Sequence, residues 1–185
     1  MFLFLIPLVS GFFFNLASAF TAVFTRRWGG RAGSTISIIL RDVLGIPLWG
    51  LGFLLAARAA SAPIFETGLA TQITGWLLIA AGALLIIVAL SAIRARALAP
   101  STGDPLIQQG IYAHLRHPIH AGTLLEFAGL FLLGPSLTVA IACLAGAGWL
   151  LIQSRFEEID LIQRMPGYPE YMRRVPRFIP HLPKR

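Results

Sequence analysis

The stretch that decides the fold is Ile119–Ser154, IHAGTLLEFAGLFLLGPSLTVAIACLAGAGWLLIQS. These 36 residues contain one acid, Glu126, and no basic residue. As a single helix they would reach about 54 Å, against a hydrocarbon core of roughly 30 Å. Gly134-Pro135-Ser136 interrupts the run near its middle. Proline there removes a backbone donor and clashes with the preceding turn. The run therefore predicts a tight helical hairpin, Ile119–Leu133 and Leu137–Ser154, with short arms.

Three more apolar runs lie upstream: roughly Phe2–Phe24, Val43–Ala60 and Leu69–Ala92. The first is long enough to span a bilayer, and no basic residue precedes it as in a secretory leader, so it reads as a retained span. Pro47 and Gly45 sit near the entry of the second, where packed membrane helices tolerate them. Arg94 and Arg96 close the third. The expectation is an all-α, polytopic membrane protein with about five transmembrane helices. It forms a single membrane domain over 1–185, with three N-terminal spans in 1–96. A cofactor-binding loop, the hairpin and a tail make up 97–185.

Composition supports this reading. Of the 185 residues, 56% are hydrophobic and 12% charged, with mean hydropathy +0.75. A soluble domain carries about 25% charge, so a disordered chain is excluded and a soluble domain disfavoured. Lys and Arg exceed Asp and Glu by 7. In so apolar a chain, that excess is directed at anionic lipid rather than nucleic acid. With five crossings, fourteen of the fifteen basic residues fall on the C-terminal side and only Arg58 on the other. The positive-inside rule then predicts an outside N-terminus, a cytoplasmic C-terminus and an active site at the cytoplasmic face. Cys143 is the sole cysteine, so no intrachain disulfide forms.

Polar chemistry collects at three places. Before the hairpin, Tyr112, His114, Arg116, His117, Pro118 and His120 fall within nine positions. Pro118 suits the first position of a helix, which puts Arg116 and His117 at its positive entrance. There they either hold an anion or snorkel to headgroups. The three histidines are spaced by three, but Pro118 interrupts any helix that would align them, and no cysteine completes a zinc set. No metal is expected. After the hairpin, Glu157, Glu158 and Asp160 place three of eight acids in four positions. Their location near a helix C-terminus is unfavourable to the dipole and calls for a cationic partner. Glu126, inside a predicted span, is a pocket candidate because an intramembrane carboxylate is costly. The tail from Arg164 is basic and aromatic, suited to anionic lipid or to closing over a cofactor.

In order, Gly110-x-Tyr112-x-x-x-Arg116-His117-Pro118, a helical hairpin, Glu157-Glu158, Tyr168-x-x-Tyr171 and Val175-Pro-Arg-Phe-Ile-Pro180 resemble the isoprenylcysteine carboxyl methyltransferase family. The likeness covers roughly 105–182. It implies S-adenosylmethionine as cofactor, in a pocket built from the hairpin and the C-terminal segment. Carried over residue by residue, it implies cofactor contacts from Tyr112, Arg116, His117, Pro118, His120, Glu157, Glu158, Tyr168 and Tyr171. Catalytic roles fall to Glu158 and to Arg173, which would orient an acceptor carboxylate. His120 stands where the family usually has tyrosine. The implied activity is methyl transfer to a lipophilic or lipid-attached acceptor. The alternatives are a phospholipid-amine N-methyltransferase, a nicotinamide-dependent membrane reductase of related architecture, and a non-enzymatic membrane protein.

Overall fold

The computed structural model describes residues 2–93 and 105–180. Arg94 and Arg96, positions 97–104 of the polar loop, and the basic end at Lys184 and Arg185 lie outside the described residues. The regular elements among those described are all helices, in the order α1 (Leu5–Ser18), α2 (Thr21–Trp28), α3 (Gly30–Ile38), α4 (Ile46–Arg58), α5 (Leu69–Ile93), α6 (Pro118–Leu133), α7 (Leu137–Arg164) and α8 (Tyr168–Arg174). A π turn, Ile39–Gly45, joins α3 to α4, and a 3-10 turn, Gly110–Ala113, precedes α6.

The hairpin forms as the sequence predicts. Pro118 opens α6, and Gly134-Pro135-Ser136 separates the arms. The Ser136 hydroxyl caps α7 by accepting the Val139 N–H at 3.4 Å. The Ile64 N–H donates to the Pro135 carbonyl at 2.6 Å, pinning the hairpin tip to the loop before α5. The third span also forms as expected, over Leu69–Ile93.

Three expectations change. The first apolar run is not one straight helix: α2 turns 61° from α1. The bend falls at Ala19–Phe20, and the Asp160 carboxylate accepts the Ala22 N–H at 2.8 Å in the first turn of α2. A carboxylate at a helix N-terminus answers unpaired N–H groups and the dipole together, which fixes α2 against α7. The second span starts well before Val43. Helix runs unbroken over Gly30–Arg58, with Arg41 and Asp42 inside its π turn rather than ahead of it. The Ile46 N–H donates to the Arg41 carbonyl, and Pro47, which has no N–H, follows at once. The wide turn also brings Gly45 against Asn15 of α1, where a Cβ would lie 3.0 Å from the Asn15 amide nitrogen. Finally, α7 runs ten residues beyond the expected Ser154, so Glu157, Glu158 and Asp160 lie within the helix. It ends at Met165, since the residue before Pro166 disfavours helix.

Three helices, Gly30–Arg58, Leu69–Ile93 and Leu137–Arg164, are long and apolar enough to cross a membrane, and α1 with α2 makes four. The 16 residues of α6 reach about 24 Å, short of a full crossing. The count of five is therefore not met by length.

Phe4, Leu8, Phe12, Phe53, Phe127, Val139 and Leu150 form a core between α1, α4, α6 and α7. Phe12 stacks on Trp149 at 4.6 Å, and Phe53 on Phe127 at 4.8 Å. Leu84, Ile87 and Leu144 are exposed, the outward apolar surface of a protein solvated by lipid. Helices α5 and α6 approach through glycine: a Cβ on Gly82 would lie 2.5 Å from the Gly122 carbonyl oxygen, and one on Gly122 2.7 Å from that of Gly82. A second cluster, Tyr168, Tyr171 and Val175 with Leu106 and Leu161, folds the tail back under α7.

Candidate functional site

The tail returns to the head of α6 through paired backbone. The Arg116 N–H donates to the Pro176 carbonyl at 2.9 Å, and the His117 N–H to that of Arg177 at 3.1 Å. The Tyr171 hydroxyl donates to the Tyr112 carbonyl at 2.6 Å. Two segments some sixty residues apart thus meet over the C-terminal end of α7.

Between them lies a charge cluster. His117 is buried, with Nε2 3.1 Å from Glu158 Oε1 and Nδ1 3.4 Å from Glu157 Oε2. Carboxylates only accept, so two of them satisfy both ring nitrogens only if both carry protons. This arrangement favours the imidazolium form of His117. Burial opposes that charge, but hydrogen bonds and attraction from Glu157 and Glu158 outweigh it and raise the pKa above the ordinary histidine value. Glu158 also binds Arg116 Nη2 at 3.4 Å and takes both Arg177 donors, Nε at 2.9 Å and Nη2. Glu157 accepts from Gln153 Nε2 at 2.8 Å and lies 3.6 Å from His120 Nε2.

A cavity of about 410 Å³ opens beside this cluster. Ligand sites commonly fall in the range of roughly 300–1,000 Å³. Its wall combines polar side chains, among them Tyr112, Arg116, His117, His120, Glu157 and Tyr168, with apolar ones, Ile46, Trp49, Ile119, Trp149 and Leu150. Four lining residues carry a buried polar atom with no hydrogen-bond partner: Arg116 Nε, His120 Nδ1, Tyr168 OH and Trp49 Nε1. Buried polar atoms are normally paired, so four around one cavity mark it as built for a polar ligand.

The structure brings together Tyr112, Arg116, His117, Pro118, His120, Glu157, Tyr168 and Tyr171 on the cavity wall. Glu158 is placed differently: it lies behind His117, 2% exposed, and does not line the cavity. Neighbours on a helix point about 100° apart, so only Glu157 faces the space. Arg173 is not brought in. Tyr168 and Tyr171 face inward at i,i+3, which turns Arg173 to solvent, 72% exposed and paired with Glu170. Arg177 is the tail arginine that reaches the cluster. It stood unmarked within the Val175–Pro180 motif, where its separate role had no local signal. His114 is exposed on the 3-10 turn, apart from the other two histidines. Glu126 is half-buried beside Gly82, outside the cavity wall. Gln153, Arg41 and Asp160 join the site region only through tertiary contact.

His117, His120 and Glu157 each offer a ligand atom, all within 4.8 Å of one another. The pairing of both His117 nitrogens with carboxylates accounts for this closeness.

A hairpin of apolar helices with a cavity walled in part by Tyr168 and Tyr171 of a basic tail fits an enzyme embedded in a membrane. The chain belongs to the phospholipid methyltransferase family, whose family model matches residues 70–165, more than half its length. It is a membrane methyltransferase, in the same superfamily as the isoprenylcysteine carboxyl methyltransferases. The matched segment begins in α5 and ends at the close of α7, so α8 and Arg177 lie beyond it. No curated protein and no solved structure matches the chain. Methyltransferases of this family generally use S-adenosylmethionine.

Proposed function

We propose that the protein transfers a methyl group from S-adenosylmethionine to a lipophilic acceptor that enters the cavity from the bilayer, and that a lipid-borne amine is that acceptor. The observation that carries this reading is a cavity whose wall joins buried polar atoms without partners to apolar side chains of the hydrophobic helices. Bound there, the cofactor supplies a methyl group on a sulfonium, ready for in-line displacement. Arg116 Nε offers a donor to its carboxylate, and Glu157 a charge-assisted acceptor for its ammonium or ribose hydroxyls. Tyr112, Tyr168 and Tyr171 offer ring faces to the adenine or to the sulfonium. Their hydroxyls stay protonated: burial raises all three, Tyr171 to about 12. In this reading the cofactor lies toward the cytoplasmic face, which the excess of arginine near the cavity supports. Positioning and exclusion of water supply most of the rate.

A carboxylate acceptor, as in isoprenylcysteine methylation, is the second reading. It is favoured by Arg41 and Arg164, which line the same cavity and suit an anionic acceptor. Calorimetric titration of the detergent-purified protein with S-adenosylhomocysteine tests the class. Saturable binding is expected, and its absence in folded protein overturns the reading. Labelled S-adenosylmethionine is then offered with phosphatidylethanolamine vesicles or with a prenylated-cysteine analogue. Label in the phospholipid supports the amine, and label only in the analogue supports the carboxylate.

A further inference from the structure

An amine acceptor is protonated at neutral pH and has no lone pair to attack with until a base removes a proton. Among the described residues of the cavity wall, nearly every ionisable group is already committed. His117 is favoured as an imidazolium by two carboxylates. Glu157 accepts from Gln153 and pairs with both histidines. Tyr112, Tyr168 and Tyr171 are held protonated by burial.

His120 differs. Its Nε2 lies 3.6 Å from Glu157 Oε1, and its Nδ1 is buried with no partner. Because the carboxylate only accepts, it favours the tautomer with the proton on Nε2 and the lone pair on Nδ1. The His120 ring stacks on His117, 5.2 Å between centroids and 2° from parallel. A second positive charge on that stack is repelled by the first, which favours a neutral His120 before the acceptor arrives. A neutral imidazole beside a carboxylate, on a residue that lines a ligand cavity, is suited to general-base catalysis.

We propose that His120 is the general base of the reaction and that its Nδ1 takes the proton from the ammonium of the acceptor. This rests on the amine methyltransferase reading. The freed nitrogen lone pair forms the N–C bond to the transferred methyl group. The S–C bond breaks, and its electron pair stays on sulfur as S-adenosylhomocysteine leaves. Glu157 stabilises the His120 imidazolium until its proton passes to water. Each further methylation of the same amine needs the same step. A carboxylate acceptor needs no base, so His120 also discriminates between acceptor classes. The charged and titratable groups facing His120 are Glu157 on α7 and His117 at the head of its own helix. Tyr112, Arg116, Tyr168 and Arg41 share the cavity.

The test uses full-length protein in nanodiscs, with His120→Asn and His120→Tyr, the latter keeping an aromatic ring. S-adenosylhomocysteine affinity is expected to stay within about fivefold of wild type in at least one variant. Methyl transfer to phosphatidylethanolamine at pH 7 is expected to fall about 100-fold or more in both, and to recover partly as rising pH deprotonates the amine itself. Histidine-selective nitrogen NMR of the wild type supplies a readout independent of turnover. Among the four histidine rings it is expected to show a neutral one protonated at Nε2 whose signal is lost in both variants, beside the cationic His117. Wild-type rate and pH profile in either variant, or a proton on Nδ1 of the neutral ring, overturns the proposal and leaves the methyltransferase reading standing. Absence of S-adenosylhomocysteine binding in folded wild type removes that reading, and the role of His120 with it.

Discussion

Replacing Glu158 by Gln changes one atom, yet it is expected to cost the site its shape. The Oε1 atom takes His117 Nε2 at 3.1 Å, Arg177 Nε at 2.9 Å and Arg116 Nη2 at 3.4 Å, while Oε2 takes Arg177 Nη2. All four partners are donors. Whichever way the glutamine amide turns, its NH2 faces at least one of them, and the negative charge that held three cations is gone. Removing one partner of a buried ion pair costs about 3–5 kcal/mol, which is between two and four powers of ten in an equilibrium. That cost falls on docking of the tail, because Glu158 does not touch the cavity. The paired backbone at 116–117 and 176–177 and the Tyr171 hydroxyl still hold the tail, so only part of the cost reaches the ligand. Affinity scales with the fraction of molecules whose tail is docked. Glu158→Gln is therefore expected to weaken S-adenosylhomocysteine binding at least tenfold in calorimetry. Hydrogen exchange at the Arg116 and His117 amides should quicken in parallel. Affinity within threefold of wild type, with those amides equally protected, would refute the view that Glu158 organises the site.

Three further outcomes are expected. Gly82→Val drives a side chain into the Gly122 carbonyl and should lower stability by about 1–3 kcal/mol, read as a fall in melting temperature in detergent. Ala81→Val, on an exposed position of the same helix, should change little, and equal melting of both variants would sink the close-packing account. Asp160→Ala leaves the Ala22 N–H and the Arg164 guanidinium without their carboxylate, a cost of about 1–3 kcal/mol. Trypsin should then cut faster after Arg26 and Arg27, and an unchanged rate argues that α2 is held by other contacts. The last outcome concerns pH. The His117 pKa is raised on folding, so its contribution is fully present below the ordinary imidazole value and is lost as pH rises through the higher folded value. Melting temperature should decline from neutral into mildly alkaline pH in the wild type, and this slope should shrink in His117→Gln. An identical slope in the variant would assign the decline to another group.

The sequence by itself determined the class of fold. A 36-residue apolar run with one Gly-Pro break can satisfy its backbone in lipid only as two antiparallel helices, whatever surrounds it. It also marked, as local patterns, most of the residues that meet at the cavity wall, Tyr112, Arg116-His117-Pro118, Glu157 and Tyr168-x-x-Tyr171. What these residues do was decided by tertiary structure. Arg116 and His117 carry the charge to hold a ligand carboxylate, but a buried Glu158 neutralises much of it, and nothing local to either segment reveals a partner forty residues away. Arg173 and Arg177 are equivalent as sequence, and only the inward turn of Tyr168 and Tyr171 sends one to solvent and the other to Glu158. Asp160 reads as one more acid until α2 bends 61° to present its first N–H groups to it. Helix, breaker and cap are short-range properties written residue by residue. A buried charge is stabilised only by partners brought from elsewhere in the chain, so the meaning of each ionisable residue here was set when α7, the head of α6 and the tail closed on one another.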